Sequence, residues 1–187
     1  MTARIRPIAL ESAAGKARTL LDAVKTKLGF VPNMMRGMAS SPAVLEGYLQ
    51  LSGALGGGAL NAQTRELIAL TVGQQNACDY CLAAHSAIGG MVGLTKDQTR
   101  DARFATSTDP QTAALLRFAA QLVEGRGRVS DADVAAVRAT GWDDGAIAEV
   151  VANVALNIFT NYFNHVAGTE VDFPHAPALQ QAAGARA

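Results

Sequence analysis

Helix start and stop signals recur at short intervals along the chain, and they limit the possible folds more than any other feature of the sequence. Candidate N-terminal caps stand at Ser41-Pro42, Asn61, Asn76, Thr95, Asp109-Pro110, Ser130-Asp131 and Asp143-Asp144. Apolar residues at helical spacing follow these signals, and glycines stand where several of the helices should end. No segment shows the sustained apolar–polar alternation of a strand. The pattern therefore predicts an all-α fold.

The signals divide the chain into nine predicted helices. They span residues 11–28, 34–38, 42–55, 62–74, 77–91, 95–104, 110–124, 131–140 and 144–163. The run Gly56-Gly57-Gly58 is the one flexible-looking linker, and it is too short to separate two large domains. We therefore expect a single helical domain over residues 1–174. The segment from Val171 is rich in alanine and proline and is expected to be loose unless it docks on a neighbour. Residues 175–187 are predicted to form a flexible tail.

Composition supports the same fold class. Alanine accounts for 37 of the 187 residues, and it is the best helix former and is depleted in strands. Basic and acidic side chains balance at 16 each, whereas proteins that bind nucleic acid or anionic membranes usually carry a basic surplus. Nucleic acid and membrane are therefore not expected partners.

The sequence shows no evident targeting segment. Residues 1–16 contain charges and no apolar core, so no signal peptide is expected. No stretch approaches about 18 uninterrupted apolar residues, so no transmembrane span is expected. We therefore predict a cytoplasmic protein.

The last predicted helix indicates assembly. Its apolar residues cover most of its circumference, and they are Ile147, Val150, Val151, Val154, Leu156, Ile158 and Phe159. A helix that is apolar almost all round must lie at the centre of a core or be covered by another subunit. The pattern therefore predicts a homo-oligomer.

The two cysteines of the chain are close together, as Cys78-Asp79-Tyr80-Cys81. Such a local pair cannot staple a fold, so we expect its purpose to be chemical. The spacing places Cys78, Cys81 and His85 on one helix face, where two thiols one turn apart can close a disulfide. A tight connection at residues 73–76 would fold the preceding helix back and bring Glu66 against this face as a candidate base.

Each of these residues also has an ordinary explanation. A Cys-x-x-Cys pair can be half of a zinc site, but zinc normally takes four ligands, and the remaining candidates are His85, Glu66, His165 and His175. Free thiols are often inert core residues. Glu66 alone can be a solvated helix residue or the ion-pair partner of Arg65. The combination of two thiols, a histidine and a carboxylate is what favours a redox site.

The spacing Glu66-x11-Cys78-x2-Cys81-x3-His85 resembles the signature of the alkylhydroperoxidase D-like (AhpD-like) group of the carboxymuconolactone decarboxylase superfamily. The flanking runs 64–70 and 76–81 look like the family's sequences as well, and residues 28–33 are similar to its peroxidase-related branch. The resemblance covers roughly residues 5–174. It implies an AhpD-like helical bundle that assembles as trimers or as hexamers built from dimers, and it implies no cofactor.

The resemblance also implies thiol-dependent reduction of hydroperoxides. It makes Cys81 the thiol that attacks the peroxide and Cys78 the resolving thiol, with Glu66 and His85 as a proton relay through Cys78 or a water. Helix position alone favours Cys78 as the thiol of lower pKa, so the two arguments disagree on the order. The implied partners are a hydroperoxide substrate and an external dithiol reductant, either a lipoyl-bearing or a thioredoxin-like protein. Tyr80 stands where the best-known peroxidases of the family carry a histidine.

Two alternative functions remain open. A lyase of the carboxymuconolactone decarboxylase type shares the fold but generally lacks the cysteine pair. A redox-sensing oligomer would form the Cys78–Cys81 disulfide without catalytic turnover.

One internal similarity is also present. Glu149, Asn161 and Asn164 repeat the offsets of the glutamate and the two cysteines. The repeat hints at a duplicated helical hairpin in which only the first copy kept its thiols.

Overall fold

The computed structural model describes residues 3–179 of the chain. In this part it contains nine α-helices and no β-strand, which confirms the predicted all-α fold. The helices are α1 (Gly15–Leu28), α2 (Asn33–Met38), α3 (Pro42–Gly56), α4 (Ala62–Gln75), α5 (Asp79–Met91), α6 (Lys96–Arg103), α7 (Pro110–Glu124), α8 (Asp131–Ala139) and α9 (Asp144–Ala167).

The starts of five helices are held by the capping residues that the sequence marks. Asn61, Asp109 and Asp143 each accept a hydrogen bond from a backbone N–H three residues further on. Thr95 and Ser130 complete capping boxes with the third residue of their helices. These bonds satisfy amide groups that have no partner inside the helix, so the predicted starts of α4 and α6–α9 are confirmed.

Helices α4 and α9 lie at the centre of the bundle. Helix α4 packs against α5, α6, α7 and α9, and α9 also packs against α2, α3, α5 and α7. A first apolar cluster joins α4 with α6, α7 and α8 and includes Ile68 and Leu115. A second cluster joins α1, α2, α3 and the start of α5, and it includes Leu21, Leu45 and both cysteines. The cysteine pair therefore lies in a core and not on the surface.

The bounds of α1 and α9 differ from the prediction. Helix α1 begins at Gly15 and not at residue 11, because residues 10–12 form a separate 3₁₀ turn and Ala14 is extended. Helix α9 continues to Ala167, four residues beyond its predicted end, where Gly168 closes it in the left-handed conformation. Glycine adopts this conformation without the steric cost that other residues have.

The start of α5 also differs, and this difference concerns the cysteines. The prediction began the helix at residue 77 with Asn76 as its cap. In the structure Ala77 has a φ of 50°, which no right-handed helix contains, so α5 begins at Asp79 with Cys78 as its N-cap. Cys78 is therefore the residue before the helix, whereas Cys81 lies in its first turn.

Helix α9 turns much of its polar surface inward and part of its apolar surface outward. Its buried polar residues are Asn153, Asn157, Thr160, Asn161 and Asn164. Its exposed large apolar residues, on the opposite face, are Val151, Phe159, Tyr162 and Val166. By length and mean hydropathy this helix could cross a membrane, although no apolar run of the sequence reaches that length. Its packing against α4 and α7 is that of a core helix in a bundle.

The repeated offsets do not mark a second hairpin. Glu149, Asn161 and Asn164 all lie on α9, which is continuous over residues 144–167. Glu66 and the cysteines, in contrast, lie on either side of the turn between α4 and α5. The sequence similarity therefore has no counterpart in the topology.

The glycine run Gly56-Gly57-Gly58, predicted as a flexible linker, instead ends α3 and begins a turn that is fixed by hydrogen bonds. The carboxylate of Glu149 accepts hydrogen bonds from the backbone N–H groups of Ala59 at 2.7 Å and Leu60 at 3.0 Å. A Cβ atom at Gly58 would lie 2.5 Å from that carboxylate, so only glycine allows this close approach.

The segment after α9 docks on the bundle as far as Pro177. The carboxylate of Asp172 accepts a hydrogen bond from the backbone N–H of Asn33 at 2.6 Å. The guanidinium of Arg103 donates to the carbonyl of Pro177 at 2.6 Å. These contacts link residues 171–177 to α2 and α6. Residues 180–187 of the predicted tail lie outside the described part of the chain.

Candidate functional site

A cavity of about 470 Å³ lies among α1, α2, α3, α4, α5 and α9. This volume is in the range of small-molecule binding sites. Most of the wall is apolar, and its polar members include Tyr48, Glu66, Cys81, His85, Asn157 and Thr160. Cys81 belongs to the wall and Cys78 does not. Only one of the two thiols is therefore open to a molecule in the cavity.

The cysteine side chains meet at the start of α5. Cys78 is the N-cap and Cys81 is the third residue of the first turn. Their sulfur atoms are 2.9 Å apart, and each residue is only 2% exposed. The two cysteines are not joined in a disulfide. A small movement of either side chain would bring the sulfurs to the disulfide distance of about 2.05 Å.

The two thiols differ strongly in acidity. The hydrogen bond donated by the Cys78 S–H, aided by the charge of His85 and the amide of Asn164, outweighs burial and lowers the pKa of Cys81 to about 6. The same hydrogen bond, together with burial, raises the pKa of Cys78 above its ordinary value. At neutral pH Cys81 is a thiolate and Cys78 a thiol. Helix position alone favours the opposite order, and the hydrogen bond between the two sulfur atoms outweighs it here.

The turn between α4 and α5 brings Glu66 against His85. The Oε2 atom of Glu66 lies 2.7 Å from Nδ1 of His85, and the two side chains are 16% and 21% exposed. Burial lowers the pKa of His85, but the charge and hydrogen bond of Glu66, with the Cys81 thiolate, outweigh it and raise the pKa above its ordinary value. Since Glu66 occupies Nδ1, the Nε2 atom is the one left to exchange a proton in the cavity.

Tyr48 is a polar residue of the cavity that the sequence analysis did not single out. Burial, followed by the charges of Glu66 and Cys81, raises the pKa of Tyr48 to about 12. Its hydroxyl therefore stays protonated and can donate a hydrogen bond to a bound molecule. No sequence signal marks it, because an aromatic residue on an apolar helix face is usually part of the core.

Tyr80 ties the segment after α9 to the cavity wall. Its hydroxyl accepts a hydrogen bond from the backbone N–H of Met34 at 3.3 Å. Its ring meets that of Phe173 edge-on, with centroids 5.8 Å apart, and Phe173 also contacts Phe30 and lines the cavity. Burial above all raises the pKa of Tyr80, so its hydroxyl does not exchange protons near neutral pH. Tyr80, the residue directly before Cys81, therefore packs the segment after α9 against the cavity wall in this chain.

Helix α9 supplies buried amides to the cysteine pair. The Nδ2 atom of Asn164 lies 3.3 Å from the sulfur of Cys81 and 3.3 Å from the sulfur of Met34. Asn161, one turn earlier, is fully buried beside it. The sequence marked these asparagines only through their matching offsets, since their contact with α5 spans more than 80 residues of chain.

The described residues contain no group of three or more His, Cys, Asp or Glu side chains placed to hold a metal ion. His165, a candidate to complete a zinc site, instead contacts the backbone carbonyl of Asn76 through Nε2 at 2.9 Å.

Comparison with known proteins gives a family model and several solved structures. Residues 42–124 match the model of the carboxymuconolactone decarboxylase family, and no curated protein matches the sequence. The alkylhydroperoxidase AhpD core of an uncharacterized peroxidase-related protein from Ralstonia eutropha is 26% identical, with a TM-score of 0.80 over 91% of this chain and 92% of that chain. An uncharacterized peroxidase-related protein from Silicibacter sp. is 22% identical, with a TM-score of 0.77 over 89% and 92%. A debrominase in complex with 2,3,4-tribromopyrrole is 18% identical, with a TM-score of 0.78 over 92% and 93%.

The nine-helix bundle with a cysteine pair beside an apolar cavity has the AhpD-like fold. The family match over α3–α7 and the likeness to the AhpD core structure both support a relationship to the AhpD-like group of the carboxymuconolactone decarboxylase superfamily. The resemblance found in the sequence is thus confirmed. The two structures below 25% identity show the shared fold alone.

Proposed function

We propose that this protein is a thiol-dependent hydroperoxide reductase that acts through Cys81 and Cys78. The observation that carries the proposal is the position of Cys81. Its thiol lines the cavity, its pKa is lowered, and a second thiol lies 2.9 Å away outside the cavity wall. A thiolate open to substrate and a resolving thiol within reach are what two-cysteine peroxide reduction requires. Members of this family are enzymes, which supports a catalytic role.

In the first step the Cys81 thiolate attacks the outer oxygen of the hydroperoxide. The sulfur–oxygen bond forms as the oxygen–oxygen bond breaks, so the sulfur is oxidised by two electrons to a sulfenic acid. The organic part leaves as an alkoxide. The protonated His85, held through Nδ1 by Glu66, donates the proton that converts the alkoxide into an alcohol.

In the second step Cys78 attacks the sulfur of the sulfenic acid. Its own proton and the departing hydroxyl form water, and the Cys78–Cys81 disulfide remains. Oxidation of Cys81 removes the negative charge that contributes to the raised pKa of Cys78, so the resolving thiol becomes more acidic when it is needed. The Glu66–His85 pair regains its proton from solvent.

An external dithiol then restores the pair by thiol–disulfide exchange. Both cysteines are 2% exposed, and the cavity is the route to Cys81. A slim dithiol arm, such as a lipoyl group on a carrier protein, fits this access better than a folded thioredoxin-like protein. Because the cycle needs a reducing compartment, we place the protein in the cytoplasm.

We further propose that the exposed apolar residues of α9 are covered by other copies of the chain. Val151, Phe159, Tyr162 and Val166 are between 39% and 63% exposed and lie on one face of the helix. A contiguous apolar face of this kind marks an interaction surface. This proposal agrees with the trimers or hexamers that the family resemblance implies.

The proposed function is tested by one equivalent of an organic hydroperoxide, followed by mass spectrometry of the intact protein. The wild type should form the internal disulfide, and Cys78→Ser should hold a sulfenic acid on Cys81 that dimedone traps. Cys81→Ser should not react and should not consume peroxide in the presence of a dithiol. Peroxide consumption by Cys81→Ser at the wild-type rate would refute the mechanism.

Each of the two alternative functions predicts a different result, in turnover or in the cysteine variants. A redox sensor would form the disulfide with the first equivalent and would show no steady-state turnover with excess dithiol. A lyase of the carboxymuconolactone decarboxylase type would keep its activity in a variant with both cysteines replaced by serine.

A further inference from the structure

The buried amides of Asn161 and Asn164 leave two polar atoms without a partner beside the reactive thiol. These residues are 0% and 4% exposed. The Nδ2 atom of Asn161 and the Oδ1 atom of Asn164 make no hydrogen bond within the described protein. A buried unpaired polar atom costs about 1–3 kcal/mol, so two such atoms at one site call for an explanation.

The orientation of Asn161 is fixed by its neighbour. The side-chain amide of Asn76 donates a hydrogen bond to Oδ1 of Asn161 at 2.9 Å. The carbonyl oxygen of Asn161 therefore points toward Asn76, and its Nδ2 group is left as a free donor. The same amide helps to lower the pKa of Cys81, so the donor lies near that sulfur without the geometry of a full hydrogen bond.

Asn164 is oriented by two sulfur atoms. Its Nδ2 group faces the sulfurs of Cys81 and Met34, each at 3.3 Å, and sulfur can only accept hydrogen bonds here. Its Oδ1 atom is therefore a free acceptor on the same amide. The two amides that lower the pKa of Cys81 thus carry one donor and one acceptor without a hydrogen-bond partner in the described part of the chain.

We propose that Asn161 and Asn164 are catalytic residues that hold the sulfur of Cys81 and the oxygen atom that it takes from a hydroperoxide. The hydroxyl of a sulfenic acid is both a donor and an acceptor, so it matches this pair of free atoms. Its oxygen accepts a hydrogen bond from Nδ2 of Asn161, and its hydrogen is donated to Oδ1 of Asn164. This inference rests on the proposed function, because it concerns the oxygen of that reaction.

The pair acts in both chemical steps. When the thiolate attacks, the oxygen–oxygen bond breaks and the transferred hydroxyl moves into the place between the two amides. When Cys78 attacks the oxidised sulfur, the sulfur–oxygen bond breaks, and the Asn161 donor stabilises the negative charge that develops on the leaving oxygen. The hydroxyl then takes the proton of Cys78 and leaves as water, so the step needs no further reactant.

The test uses Asn161→Leu and Asn164→Leu in the Cys78→Ser background, where the sulfenic acid cannot be resolved. Loss of one hydrogen bond to a charged group should slow formation of the dimedone adduct about tenfold to a hundredfold after one equivalent of cumene hydroperoxide. The sulfenic acid that does form should be oxidised further by excess peroxide more quickly than in the parent. Asn164→Asp, which keeps the size and the acceptor but adds a negative charge, should slow the reaction at least as much.

Thr71→Val is the matched control. Thr71 is also buried on a central helix, but its hydroxyl bonds two backbone carbonyls and not the sulfur of Cys81. This variant should lose stability and keep the parent rate of adduct formation, which separates loss of a buried polar group from loss of the amides. Thermal unfolding shows whether each variant is folded. If a leucine variant does not fold, Asn164→Asp takes its place in the test.

Each outcome decides between the two proposals. No adduct in Cys78→Ser itself overturns the proposed function and this inference with it. An adduct that forms at the parent rate in both asparagine variants overturns the inference and leaves the proposed function standing. A slower rate in the asparagine variants, with an unchanged rate in Thr71→Val, supports both.

Discussion

Replacement of Cys78 by alanine or by serine tests why Cys81 is acidic. The S–H group of Cys78, 2.9 Å from the sulfur of Cys81, is the largest cause of the lowered pKa. Alanine removes this donor, whereas serine replaces it with an O–H donor of nearly the same shape. The two variants each leave Cys81 as the only thiol, so its ionisation can be followed without interference.

The size of the effect follows from the hydrogen bond. A hydrogen bond to a charged group contributes about 1.5–3 kcal/mol, and one pKa unit corresponds to about 1.4 kcal/mol. The pKa of Cys81 should therefore rise by about one to two units in Cys78→Ala, from about 6 to about 7–8. It should not return fully to the ordinary value, because His85 and Asn164 still face the sulfur. In Cys78→Ser it should stay near 6.

The assay is the rate of iodoacetamide alkylation of Cys81 as a function of pH, because only the thiolate reacts. The rate should rise to a plateau, with its midpoint at the pKa, and the ultraviolet absorbance of the thiolate gives an independent midpoint. Equal midpoints in the alanine and serine variants would refute the assigned cause. Midpoints near 9 in both variants would show that Cys81 is not a thiolate at neutral pH.

Four further predictions follow from the same contacts. Glu66→Gln removes the carboxylate that raises the pKa of His85, so alkylation of Cys81 at about pH 6 should slow severalfold, and an unchanged rate would show that the imidazole charge does not reach the thiol. The free energy of unfolding of the wild type, relative to that of Cys81→Ser, should increase as the pH rises from about 6 to about 9 in denaturant titrations. A thiol whose pKa is lower in the folded state contributes stability that is lost as the pH falls toward that pKa. Phe173→Ala removes two edge-on ring contacts and should lower the free energy of unfolding by about 2 kcal/mol while speeding alkylation; a slower rate would mean that this ring does not restrict the cavity. Val166→Asp places a charge on the exposed apolar face of α9 and should shift the protein to a smaller species in sedimentation, whereas an unchanged species would place the interface elsewhere.

The helices were predictable because their signals are local. Asn61, Asp109 and Ser130 cap the helices that the sequence assigns to them, and each cap depends on an N–H only three residues away. The start of α5 was not predictable in the same way. Asn76 is a good capping residue by type, but the left-handed conformation of Ala77 depends on how the chain turns between two packed helices.

The candidate site likewise has a part that local sequence spacing predicted and a part that depends on tertiary packing. The offsets of Glu66, Cys78, Cys81 and His85 follow from helix geometry and one tight turn, so the sequence alone brought these four residues together. Their acidity was not accessible, since it depends on which sulfur donates to the other and on burial. Tyr48 carried no sequence signal, because nothing in its own helix distinguishes it from a core residue.

What the sequence by itself determined is the all-α class, the cysteine pair and its family resemblance, because short-range spacing records helix periodicity and helix faces. What only the tertiary structure decided is which thiol the cavity reaches and what surrounds it. The inward amides of α9 illustrate the reason: Asn164 meets Cys81 across 83 residues of chain, and no local rule turns a polar face toward a core. Long-range packing also turned the remaining apolar surface of that helix outward, where the sequence indicated only that something must cover it.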